Sequence, residues 1–187
     1  IGDSNAEHFN ETLIEVARSA GAELAIANRP GCPVSDVIVE ASWWNGPGGE
    51  LCRSAVEAEL GQLEQDPPSV VVVANATDKY VHSDEVVLVD PLTGRRATSA
   101  EDKAEVFEAG LQRALRRLTA AGSEVVLVEV VPKPWAVDGD LDTRACSDLL
   151  LLVDPQRCRP APFAADNEVT FGANQLERRA ATAAGAV

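Results

Sequence analysis

The chain has no methionine, two histidines, one tyrosine and 4% aromatic residues, and its 16 Lys and Arg are outnumbered by 30 Asp and Glu. Each shortage removes a class of function. The formal charge of −14 excludes a sequence-independent nucleic-acid binder, which needs clustered Lys and Arg against phosphates. It disfavours docking to anionic lipid for the same reason. No apolar run approaches the ~18 residues that a transmembrane helix requires, and no signal peptide is present. Two histidines leave little material for a mixed Cys/His metal site. The missing methionine, with Ile1-Gly2-Asp3-Ser4 at the start, predicts a mature form or an excised piece.

What remains is a chain of 187 residues with 45% hydrophobic content, enough for one domain, 1–187, around a sizeable core. Apolar periodicity predicts a helix over 5–20, with Phe9, Leu13, Val16, Ala17 and Ala20 on one face and Gly21 at its C-cap. Leu24-Ala25-Ile26-Ala27 reads as a short strand, and 53–64 as a second helix stopped by Pro67-Pro68. Val70-Val71-Val72-Val73-Ala74 is the plainest strand, with the continuous β-branched run of a strand buried on both faces. A helix over 99–121, a strand at Val125–Val128 and a last helix over 173–184 complete the pattern, and Gly185-Ala186-Val187 reads as the approach to a further strand. Residues 132–170 are read as irregular, broken by prolines. Strand, helical crossover and strand again imply an α/β fold with a parallel sheet.

Cys32, Cys52, Cys146 and Cys158 match no Cys-x-x-Cys spacing. Two disulfides are the favoured reading, most simply Cys32–Cys52 and Cys146–Cys158, although three connectivities are open and four free thiols are the alternative. Disulfides would place the chain in an oxidising, extracytoplasmic compartment.

Three short elements could carry chemistry. Ser4, in Gly2-Asp3-Ser4, stands before a helical pattern, where its hydroxyl and N–H face the carboxyl edge of a sheet. The competing reading makes Ser4 a helix cap in a Ser4-Asn5-Ala6-Glu7 capping box. Gly31, in Pro30-Gly31-Cys32-Pro33, lets the backbone approach a ligand, or simply makes a turn. Asn75 follows the valine run, where open α/β sheets bind ligands; turn formation or capping by Asn75 or Thr77 is the alternative.

Taken in that order, Gly-Asp-Ser, the loop Gly31 and the strand-end Asn75 resemble the SGNH (GDSL-like) hydrolase superfamily. The resemblance is closest to SGNH domains at the C-terminus of membrane acyltransferases that O-acetylate bacterial surface glycans. It extends through Gly31-Cys32-Pro33, Glu50-Leu51-Cys52-Arg53, the segment Gly110 to Gly122 with its following valine strand, Pro132-Lys133-Pro134, and the pair Cys146 and Cys158. It implies a three-layer α/β/α sandwich with a flavodoxin-like parallel sheet. It also implies a serine-dependent acetyl esterase or O-acyltransferase acting on cell-surface carbohydrate. Ser4 would be the nucleophile, and the Ser4 N–H, the Gly31 N–H and the Asn75 amide would form the oxyanion hole. The partners implied are an acyl donor, a glycan acceptor and an upstream membrane acyltransferase domain in the same polypeptide; no cofactor is called for. A non-catalytic glycan-binding domain of the same fold is the rival.

The pattern departs from that family in three places. Asn5 follows Ser4, where the fused domains usually have His; Thr77 competes with Asn75 in an ungapped reading; and no Asp-x-x-His supplies a base. His8 falls inside the first helix and His82 in a loop, so the expectation is a domain cut at both ends, lacking terminal strands and the base, with His82 the less favoured substitute. Trp43-Trp44 suits either stacking on a sugar or plugging the loop held by Cys32 and Cys52. Asp138, Asp140 and Asp142 hint at calcium, but a solvated acidic loop is the favoured reading.

Overall fold

A computed structural model describes residues 1–44, 47–131 and 166–187. The chain divides into two compact units, one of Ile1–Val130 with Ala173–Val187 and one of Val131–Gly172.

The first unit is built from α1 (Ser4–Glu7), α2 (Asn10–Ala20), β1 (Ile38–Ala41), α3 (Gly48–Gln65), β2 (Val70–Ala74), α4 (Thr77–His82), β3 (Val86–Val89), β4 (Arg96–Ala97), α5 (Ala100–Ala120), β5 (Glu124–Val128) and α6 (Asp166–Ala184), the last of which begins in the second unit. The all-valine β2 pairs in parallel with β5, Val70 opposite Glu124 through Ala74 opposite Val128. Backbone contacts continue this ladder on both sides. Gly2 bridges in parallel to Ala74 on one side and to Asn28 on the other. At the opposite edge Val187 donates to the Val125 carbonyl (2.9 Å) and accepts from the Leu127 N–H (2.8 Å). The spatial order is therefore Asn28, Gly2, β2, β5, Val187, a parallel α/β arrangement of the expected class. The expectation that Val187 approaches a strand is met by its pairing.

Three local expectations are corrected. The first helix is two helices, interrupted at His8–Phe9, and α2 buries no side chain, so the apolar face predicted for it stays partly exposed. Leu24–Ala27 is not a strand; only Asn28 is bridged. Leu24 and Ile26 line a cavity of about 150 Å³ together with Ile1, Val70 and Val72. Among the described residues, the backbone of Leu24–Ala27 is joined only through the Ala27 carbonyl, which accepts from the Gly2 N–H (3.3 Å), so no ladder forms along it. Finally, α3 starts at Gly48 and not at 53, α6 at Asp166 and not at 173, and His82 lies on α4 and not in a loop.

An antiparallel sheet that the sequence pattern did not announce, in the order β1-β3-β4, pairs Ile38 with Val89 and Leu88 with Ala97. It and the parallel strands share one core, in which Phe107, Leu111, Leu115 and Leu118 of α5 are fully buried and Tyr80 stacks on Phe107 at 5.8 Å. Burial of such side chains is the main stabilising term. Arg117 of α5 joins Glu57 (2.7 Å) and Glu64 (2.6 Å) of α3, fixing the two helices side by side.

Candidate functional site

Gly2 lies between two backbones. A Cβ there would fall 2.0 Å from the Ala74 carbonyl oxygen and 2.7 Å from the Ala6 Cβ, so only glycine allows the turn to pack against β2. The chain then reverses into α1. Asp3, fully buried, is its N-cap: the carboxylate accepts from the Asn5 N–H (2.7 Å). The same carboxylate accepts from the Ala76 N–H (2.8 Å) and the Tyr80 hydroxyl (2.7 Å), tying the turn to the loop after β2 and to α4. Burial, with the Asp3 charge alongside, pushes the Tyr80 phenol above its ordinary range, so it stays protonated and donating. The capping box centred on Ser4 is thereby corrected. Asp3 does the capping because its carboxylate reaches the first free N–H, and Ser4 becomes the first helical residue, exposed, its hydroxyl without a hydrogen-bond partner among the described residues.

Asn75 sits directly after β2 and is fully buried. Its side-chain Oδ1 accepts from the Val34 N–H (2.8 Å), and its backbone carbonyl accepts from the Asn5 side chain (3.1 Å). With Oδ1 thus fixed, the amide orientation is set, and Nδ2 is left without a hydrogen-bond partner among the described residues. A buried amide N–H2 with no acceptor costs roughly 1–3 kcal/mol, which a fold sustains when a ligand supplies the acceptor. Thr77 cannot fill this role, since its hydroxyl is joined to Glu177 at 2.5 Å.

Gly31 adopts φ +77°, and a Cβ there would press on the Trp44 ring at 3.2 Å, so both conformation and space call for glycine. Its N–H makes no hydrogen bond among the described residues. The loop is fastened by the Arg29 N–H to the Gly2 carbonyl (2.9 Å), by the Cys32 N–H to the Arg29 carbonyl (2.9 Å), and by the Cys32–Cys52 disulfide, whose Cα atoms are 5.4 Å apart. Ser4, Gly31 and Asn75 thus come to one edge of the parallel sheet through named contacts: Gly2 between Asn28 and Ala74, Asn5 on Asn75, and Val34 on Asn75.

Asp3, Tyr80 and Glu177 are parts of this region that sequence reasoning did not single out. Asp3 carried a signal, a carboxylate one residue before a helix, but the cap was assigned to Ser4. Glu177 carried none, because its partners, Thr77 and the Val130 N–H (3.3 Å), are distant in sequence. Burial pushes its carboxyl up to about 8, so it is mostly protonated at neutral pH.

Other candidates fall elsewhere. His8 is exposed at the end of α1. His82 ends α4, and burial lowers its pKa below the ordinary histidine value. Trp44 packs on Gly31 and Gly48, the plugging alternative, while the Lys79 ammonium lies 4.4 Å over the Trp43 ring. Cys146, Cys158, Asp138, Asp140 and Asp142 lie outside the described residues. Among the described residues, no three His, Cys, Asp or Glu side chains are placed to hold a metal ion, and no helix is long and apolar enough to cross a membrane.

An exposed serine at a strand-to-helix turn and a buried amide at the end of a central parallel strand are thus set in one α/β fold. The chain matches the family model described as SGNH domain (fused to AT3 domains) over residues 1–186, and it belongs to that family. Among solved structures it is similar to the periplasmic domain of a Salmonella ser. Paratyphi A lipopolysaccharide acetyltransferase, with a TM-score of 0.59 and 12% identity over 99% of this chain. The chain spans 62% of that structure's length. No curated protein matches it.

Proposed function

We propose that this domain forms an acyl-enzyme on Ser4 and passes the acyl group, an acetyl, to water or to a hydroxyl of a cell-surface glycan. The observation that carries the reading is the buried Asn75 amide, held by Val34 and lacking an acceptor among the described residues, at the sheet edge that also exposes Ser4. Ser4 Oγ attacks the acyl carbonyl carbon while a base takes its proton. The Ser4 and Gly31 N–H groups and Asn75 Nδ2 receive the negative charge that develops on the carbonyl oxygen. The carbonyl re-forms as the donor's oxygen leaves with the proton, giving an ester on Ser4. Water or a glycan hydroxyl then repeats the attack, and the proton returns to Ser4. His8 and His82 sit on other helical ends, so the base is assigned to a histidine outside these residues, as in the family's Asp-x-x-His.

The glycan acceptor and the membrane acyltransferase partner are supported by the family, whose SGNH domains are described as fused to AT3 domains, and by the similarity to a lipopolysaccharide acetyltransferase domain. The extracytoplasmic location is supported by that structure being a periplasmic domain and by the Cys32–Cys52 disulfide. The test is labelling of the full-length protein with a fluorophosphonate. Wild type should acquire one adduct on Ser4 and Ser4→Ala none; equal labelling of the two overturns the assignment.

A further inference from the structure

The chain is acidic, and its described cations are almost all neutralised. Arg53 and Arg113 share Asp36, Arg117 holds Glu57 and Glu64, and Arg96 holds Glu40; Lys103 and Arg116 bond to backbone carbonyls. Arg18, Arg95, Arg178 and Arg179 also sit on carboxylates. Among the described residues, Arg29 and Lys79 alone have neither kind of partner.

Both flank the candidate site. Arg29 follows Asn28, which bridges Gly2, and it precedes Gly31 by two positions; Lys79 stands on α4, just after Asn75 and Thr77. Aromatic rings connect them. Lys79 lies over Trp43, Trp43 meets Trp44 edge-on at 6.4 Å, and Trp44 lines an open cavity of about 400 Å³ together with Arg29, Cys32 and Leu51. Glu59 lines a smaller cavity with Arg29, yet the two form no ion pair.

From this placement we infer that the surface running from Arg29 over Trp44 and Trp43 to Lys79 binds a sugar carrying an acidic group, a carboxylate or a phosphate. Resting on the acyl-transfer reading above, this makes the acceptor or donor an acidic glycan. Aromatic faces suit the C–H faces of a pyranose, and these two cations at a sheet edge draw an anion that the chain as a whole, at −14, repels. Arg29 presents a planar fork matched to carboxylate or phosphate. Lys79, held over Trp43, supplies a second point charge.

The test titrates the full-length protein, by tryptophan fluorescence and calorimetry, with trigalacturonic acid against its methyl ester, and with phosphorylated against unphosphorylated mannopentaose. The acidic member of at least one pair should bind about tenfold more tightly, the scale of two partly exposed charge contacts. The preference should shrink with added salt and be lost in Arg29→Gln/Lys79→Gln, with Trp44→Phe weakening both members of the pair. Equal binding within both pairs, no binding of any probe, or a preference that survives the double substitution overturns the inference. The wild-type fluorophosphonate result is read separately: labelling without an acidic preference sinks only this inference, and an acidic preference without labelling sinks the acyl-enzyme and leaves the binding surface.

Discussion

Replacing Asp3 with Asn tests how the turn that presents Ser4 is held. The Asp3 carboxylate is fully buried and accepts three hydrogen bonds, from the Asn5 N–H at 2.7 Å, the Ala76 N–H at 2.8 Å and the Tyr80 hydroxyl at 2.7 Å. Asn keeps the volume but exchanges one acceptor oxygen for a donor. The two donors on one carboxylate oxygen can then be kept only by abandoning the helix-capping bond on the other, and a fresh N–H2 faces an existing N–H. A hydrogen bond to a charged group contributes about 1.5–3 kcal/mol, and loss of an N-cap alone costs about 1 kcal/mol. Because the lost bond and the lost cap are the same interaction, the two figures overlap, and the expected destabilisation is about 2–3 kcal/mol. Asp3→Ala, which strands all three donors, should cost about 3–5 kcal/mol. Tyr80→Phe removes one donor and leaves the carboxylate with two, for about 1 kcal/mol. Urea unfolding at unchanged slope measures each variant. In the Asp3→Ala/Tyr80→Phe pair the costs should fail to add by about 1 kcal/mol, since both remove the Tyr80–Asp3 bond. A loss below about 0.5 kcal/mol for Asp3→Asn, or a strictly additive pair, would refute the clamp.

The same geometry sets four other outcomes. Asn75→Ala should slow fluorophosphonate labelling by about 10²–10³-fold, the scale for one oxyanion donor; a loss under threefold would remove Asn75 from the site. Reducing Cys32–Cys52, or replacing both with Ser, should cost about 3 kcal/mol for a loop of separation 20, read as a lower Tm. An unchanged Tm would show that the loop is held by Trp44 packing alone. Glu177, pushed up to about 8 by burial, keeps its proton in the folded state where the unfolded chain has lost it, so wild-type stability should fall as pH rises from about 4.5 through 8. Glu177→Gln should flatten that profile, removing up to about 5 kcal/mol of pH-dependent change across the window, and identical pH profiles would contradict a protonated Glu177. Gly31→Ala should lower labelling and stability together, because φ +77° and the Trp44 contact both oppose a Cβ.

The sequence disclosed those parts of the fold whose physics is local. The valine run of β2 buries Val71, Val73 and Ala74, and the long apolar stripe of α5 meets the core along its length, so composition and period identify both. The antiparallel sheet escaped notice because Val86–Val89 is only four residues long, between acidic neighbours, and its partners Ile38–Ala41 lie far away in the chain. Leu24–Ala27 misled in the opposite sense, having strand composition but no ladder beside it. Of the candidate site, Ser4, Gly31 and Asn75 were singled out through a family resemblance, whereas Asp3 was hidden behind a capping rule that favoured Ser4. The pairing of Thr77 with Glu177 was illegible, as only the folded chain brings α6 to the end of β2.

Identification of the covalent intermediate tests the central claim most directly. The full-length protein is mixed with p-nitrophenyl acetate, quenched in acid within the first turnover, digested and mapped by mass spectrometry. The account predicts an acetyl group on the peptide that contains Gly2-Asp3-Ser4, located to Ser4, diminished in Asn75→Ala and gone in Ser4→Ala. Acetylation of another residue, or p-nitrophenol release by Ser4→Ala at the wild-type rate, would contradict it.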